Sequence, residues 1–133
     1  MTPTRTLIDT YMNALRTGDL PALHATFAPD ATWWLPGQLP VSRTWRGADA
    51  ILGEFLPAVM ARLRPGSVEF TTNSITTTDD AAVVEWTVEA TRLDGNPYKN
   101  DYIAIFEVRD GAITAVREYM DTAVMEPLFA AAA

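Results

Sequence analysis

The chain has 133 residues, 48% of them apolar and 20% charged, enough to bury a core and too hydrophobic for intrinsic disorder. Ten basic against seventeen acidic side chains leave a net charge of −7, so the electrostatic footprint of a nucleic-acid binder is missing and anionic membranes would repel the protein. With no cysteine and one histidine, His24, the sequence excludes thiolate chemistry, cysteine-bound metals and two-histidine zinc sites.

The glycines fit neither GxGxxG nor a phosphate-binding loop, so neither cofactor nor metal is expected. No apolar run approaches the ~18 residues that span a bilayer. The opening MTPTRTLIDTY lacks the apolar segment of a signal peptide, and with no disulfides the expected location is the cytoplasm. One domain over residues 1–133 is expected.

In chain order, Leu7, Ile8, Tyr11, Met12 and Leu15 form the apolar stripe of a first helix, which Gly18 ends. Asp19 is placed to cap a short second helix with Leu20, Leu23 and Phe27 on its inner face. Ala31 to Leu35 reads as a short strand, followed by a Pro/Gly loop that carries Arg43, Trp45 and Arg46. Ile51, Leu52, Phe55, Leu56, Val59, Met60 and Leu63 recur at helical spacing, which predicts a third helix from Asp49 to Leu63 kinked at Pro57. Strands are predicted over 67–78, 81–91, 98–109 and 112–121, with hairpin signals at Asp94-Gly95 and Asp110-Gly111. Thr122 to Phe129 reads as a last helix capped by Asp121, and the Ala130–Ala133 tail is expected to fray. Helices first and antiparallel strands after them define an α+β fold, with the helices on one face of a curved sheet.

This order, with TGDLPALHATFAPDATWWLPG near the start and DGAITAVREYMD near the end, resembles the NTF2-like superfamily, and within it SnoaL-like proteins. Relatives of that group include polyketide cyclases, limonene epoxide hydrolases and ketosteroid isomerases. The resemblance implies a cone: a strongly bent sheet around a deep apolar cavity closed by helices. It also implies sheet-to-sheet homodimers, in which Ile103 and Ile105 would be covered.

Set against those relatives, the chain keeps some reactive positions and lacks others. Seven residues after Gly111, where cyclases and hydrolases carry an aspartate, stands Glu118. Tyr11 matches the oxyanion-donating tyrosine of the isomerases. Their base position holds Leu35, ahead of Pro36, and their second acidic donor is replaced by Ala104. The arginine–aspartate pair of the epoxide hydrolases has no counterpart at Glu85 and Thr87 or at Trp86 and Val88.

Strand alternation proposes the pocket face. Val116, Glu118 and Met120 share one face of the last strand, and a glutamate between two apolar neighbours is the residue expected to act as general acid or base. Tyr98, Asn100 and Tyr102 share a face of the long strand; Asn100, Tyr102 and Tyr11 are expected to hold an oxyanion, although tyrosines also suit strands structurally. Trp33, Leu35, Trp86, Val88, Tyr98, Val116 and Met120 are the expected binding walls. His24 and Asp121 read as structural. Two functions stay open: a cofactor-independent enzyme that uses a pocket carboxylate as general acid or base on a small hydrophobic, cyclic molecule, for cyclisation, isomerisation, dehydration or hydrolysis, or a non-catalytic small-ligand-binding or dimeric assembly module of the same fold.

Overall fold

The N-terminal helix α1 runs from Pro3 to Thr17, because Thr2 caps it through a side-chain hydrogen bond from the Arg5 N–H and Pro3 needs no donor in the first turn. Gly18 ends it at φ 71°, where only glycine is unstrained, and the Asp19 N–H closes back on the Ala14 carbonyl at 3.0 Å. Asp19 then caps α2 (Leu20–Ala25) by accepting from the Ala22 N–H. The computed structural model describes residues 2–130, so most of the alanine tail expected to fray lies outside the described residues.

Strand β1 covers Phe27–Trp34, longer and earlier than the sequence pattern predicts. Phe27 therefore belongs to a strand and not to α2. Pro29 disfavours a helical Ala28, and the Thr26 carbonyl already accepts the Ile113 N–H at 2.8 Å, which draws the chain into the sheet. A second correction concerns the loop around Trp45. Thr44–Arg46 is a short edge strand, β2, paired antiparallel to β1 with Trp45 opposite Trp33.

The predicted third helix is three pieces. One α-turn, α3 (Ala48–Ala50), passes into a π-helical turn over Ile51–Phe55 and then into α4 (Leu56–Met60). Pro57 explains the change: it offers no N–H to the Gly53 carbonyl, and the ladder widens just before it, the Leu56 N–H donating to Ile51, five residues back. Leu63 is not helical; it bridges to Arg92.

Strands β3 (Glu69–Thr77), β4 (Ala81–Thr91), β5 (Pro97–Arg109) and β6 (Ala112–Met120) complete a six-stranded, curved, unclosed sheet in the order β2-β1-β6-β5-β4-β3. Only β1 and β6 run parallel; every other pair is antiparallel. Residues alternate between core and surface along β5, with Tyr98, Asn100, Tyr102, Ala104 and Phe106 all buried. After β6, Asp121 caps α5 (Thr122–Met125), and Pro127 then tightens the chain into a 3₁₀ turn, Glu126–Phe129. Among the described residues no helix is long and apolar enough to cross a membrane.

Candidate active site

The concave face of the sheet and the broken helix α3–α4 enclose an apolar cavity of about 70 Å³. Its sheet side is built by Phe27 and Trp33 of β1, Phe70 of β3, Trp86 and Val88 of β4, Tyr102 of β5 and Glu118 of β6. Tyr11, Leu15 and Leu23 close one end, and Ile51, Leu52, Phe55, Leu56, Val59 and Met60 form the opposite wall. One enclosed water takes roughly 10–15 Å³ and a benzene ring binds in a cavity of roughly 150 Å³, so the space as it stands holds a few waters, and a single ring enters only as a wall gives way. A fused polycycle would enter only if the helical wall moved outward; every residue of α4 except the exposed Pro57 is half-buried, so this wall is the loosest.

Glu118 sits opposite Ala104 of β5, whose single methyl leaves room beside the carboxyl. The side chain is 6% exposed, and among the described residues no cation and no hydrogen-bond donor pairs with it. Desolvation raises its pKa from 4.5 to about 8, and the indole N–H of Trp33 offsets part of that rise. Trp33 Nε1 is itself buried without a hydrogen bond, so the N–H is turned toward the acid without reaching bonding geometry. At pH 7 Glu118 is consequently mostly protonated: an acid at rest and, once ionised, a stronger base than an ordinary carboxylate.

The remaining polar groups of the lining are the hydroxyls of Tyr11 and Tyr102. Burial raises both phenols well above 10.0, with the nearby Glu118 adding to the rise, so they remain neutral donors. Tyr11 is held by edge contacts with Phe27 and Phe106, at ring separations of 5.8 and 5.1 Å. Tyr102 stacks on Trp86, the rings 5.2 Å apart and 10° from parallel. Tyr11, Trp33, Tyr102 and Glu118, each with a donor to offer, thus line one space with no cation in its lining.

The structure brings together Tyr11, Trp33, Trp86, Val88, Tyr102 and Glu118 among the residues singled out from sequence. It does not bring Leu35, Tyr98, Asn100, Val116 or Met120 to the cavity. Leu35 follows the end of β1, and Val116 packs beneath the lining at 1% exposure. Tyr98 and Asn100 share the inward face with Tyr102 but lie nearer the β4–β5 hairpin, and Met120 stands at the end of β6. Arg43 lies over the Trp45 ring at 3.7 Å and Arg46 is exposed, and neither lines the space. His24 meets Asp49 at 2.9 Å on the surface. Sequence reasoning missed Leu15, Leu23, Phe27, Phe70 and Met125 as lining, and also Ile51, Leu52, Phe55, Leu56, Val59, Met60 and Leu63, which were visible as an apolar helical stripe; nothing in that stripe distinguishes a cavity wall from a packed core.

A family model described as the SnoaL-like domain matches residues 8–116. The chain belongs to this family, within the NTF2-like superfamily, whose fold is shared by cyclases and isomerases. It is similar in structure to an NTF2-like protein of unknown function from Burkholderia pseudomallei, with 21% identity over 98% of this chain and 100% of that one, at a TM-score of 0.86. TerC, co-crystallized with polyporic acid, shows 26% identity over 96% of this chain and 98% of its own, at a TM-score of 0.83. A Bacillus subtilis protein provisionally described as an isomerase shows 20% identity over 97% and 96% of the two chains, at a TM-score of 0.76. No curated protein matches the sequence.

Proposed function

We propose that the protein is a cofactor-independent enzyme that moves a proton on a small, neutral, carbonyl-bearing molecule of about one ring. The observation that carries this reading is Glu118, a buried carboxyl without a charge partner, lining the same space as Tyr11 and Tyr102. A carboxyl with a pKa of about 8 exchanges its proton readily near neutral pH. The phenols stabilise the oxygen on which charge develops when a carbon next to a carbonyl is deprotonated. Isomerisation, aldol-type cyclisation and dehydration all begin this way. The crystal of TerC with polyporic acid supports a small-molecule role for a fold of this kind.

The test is product analysis on a panel of single-ring ketones and enones with the native protein and with Glu118→Gln. Turnover should fall by about 10²- to 10⁴-fold in the variant, and equal turnover in both would refute the role given to Glu118. Binding without any chemical change in the native protein would favour the ligand-binding module instead.

The lining also predicts charge selectivity. Tryptophan fluorescence should report binding of cyclohexanone at least tenfold tighter than cyclohexanecarboxylate at pH 7, because no cation offsets desolvation of the anion. Equal affinities would contradict a neutral substrate.

The convex face supports pairing with a second copy. Ile103 and Tyr119, cross-strand neighbours, are each 39% exposed, and Trp34 contacts Tyr119 edge-on at 5.3 Å. This apolar stripe crosses three adjacent strands. Light scattering at low protein concentration should give twice 14.6 kDa; a monomer would remove the dimer from the account.

A further inference from the structure

Behind Tyr102 lies a chain of hydrogen bonds that the cavity does not expose. The Asn100 side-chain amide donates to the Asp121 carbonyl at 3.0 Å and to the Tyr98 hydroxyl at 3.0 Å. The Tyr98 and Tyr102 hydroxyl oxygens are 2.6 Å apart, both side chains buried. A backbone carbonyl only accepts, so the group of Asn100 that faces Asp121 is its NH₂, and the amide cannot be turned the other way without opposing two oxygens. Asn100 therefore enters the chain as a donor.

The sense of the next bond follows. With its oxygen occupied by Asn100, Tyr98 has a proton to give and one acceptor within reach, the Tyr102 oxygen. Tyr102 then accepts, and its own proton is left for the cavity that its side chain lines. The opposite sense would leave the Tyr98 proton without an acceptor while Tyr102 turned its proton away from the cavity, an arrangement that buried hydroxyls avoid. Burial raises both phenols above the usual tyrosine range, Tyr102 further than Tyr98. Both phenols are therefore neutral, and in the neutral pair the donation from Asn100 sets the direction.

We propose that Asn100 and Tyr98 are positioning residues that aim the Tyr102 hydroxyl proton into the cavity, anchored on the Asp121 carbonyl where β6 gives way to α5. The proposal rests on the reading of the cavity as a carbonyl-binding site. Accepting a short hydrogen bond polarises the Tyr102 hydroxyl and makes it a better donor than an isolated phenol. The same anchor ties this donor to the position of α5, whose Met125 is part of the cavity wall.

The test uses two readouts. Cyclohex-2-enone serves as the probe, and the infrared band of its bound carbonyl reports the strength of donation. In the native protein the band should lie below its position in hexane. Tyr102→Phe should remove most of that shift, and Tyr98→Phe and Asn100→Ala should each remove part of it while weakening binding no more than about threefold. Independently of any ligand, ¹³Cζ-labelled tyrosine gives four resonances, one for each tyrosine of the chain, assignable by Tyr→Phe variants. Asn100→Ala should move Tyr98 and, through it, Tyr102, leaving Tyr11 and Tyr119 in place.

A Tyr102 resonance unmoved by Asn100→Ala, or a carbonyl band unmoved by Tyr98→Phe, overturns the chain. If the native protein does not take up the enone, the resonances alone decide the chain, and the failure falls on the carbonyl-binding reading. The resonances are read without ligand or turnover, so failure of Glu118 as the acid does not decide them, and the two claims fail separately.

Discussion

Glu118→Gln is expected to stabilise the folded protein at pH 8 and above, even as it removes turnover. The unfolded carboxyl titrates near 4.5 and the folded one near 8. Between those values the folded state holds a proton that the unfolded state has released, so stability falls as pH rises through this window and levels off above it. At 1.36 kcal/mol per pKa unit, the full loss is on the order of 5 kcal/mol. Glutamine has the same shape and no charge, so the variant escapes it. Urea denaturation of both proteins at pH 4 and pH 8 reads the effect as a difference between variant and native. That difference should be near zero at pH 4 and several kcal/mol in favour of the variant at pH 8. A difference independent of pH would mean that Glu118 is solvated.

The second large effect belongs to Phe106. It is fully buried on β5 and meets Tyr11 at 5.1 Å and Trp33 at 6.3 Å, both edge-on. These are the two groups that face Glu118 from α1 and β1. Phe106→Ala should cost about 3–5 kcal/mol, seen as a fall in Tm of roughly 10–20 °C. The variant should also lose affinity for cyclohexanone in the fluorescence titration, since Tyr11 and Trp33 lose the ring that holds them. A stable variant with unchanged affinity would show that the two donors are positioned by something other than this ring.

Much of this arrangement is legible in the residue pattern, for reasons that can be stated. Glu118 stands out because Val116 and Met120 flank it at a spacing of two, and a strand sends all three to one side. The β5 residues from Tyr98 to Phe106 declare their inward face in the same way. Parity does not give depth: it cannot tell that Tyr102 reaches the cavity while Tyr98 and Asn100, on the same face, stop behind it. That depends on the curvature of the sheet and on which helix lies across it.

Pro57 signals a break, and the sequence predicts one. Whether the missing hydrogen bond is absorbed by a bend or by a widened turn depends on packing, and burial of Ile51 and Phe55 on the cavity side accompanies the π turn. Strand β2 is three residues long, too short for alternation to be read, and exists because Trp45 pairs with Trp33 across the edge of the sheet. Phe27 was legible as a core residue but not as a strand residue, since its helical spacing from Leu23 and its place in β1 bury the same ring.

The most direct measurement is the titration of Glu118 itself, by NMR of ¹³Cδ-labelled glutamate with the Glu118→Gln protein identifying the resonance. A proton-transferring acid enclosed by Trp33, Tyr11 and Tyr102 should titrate with a midpoint near 8. A midpoint near 4.5, the value of a glutamate in water, would contradict it.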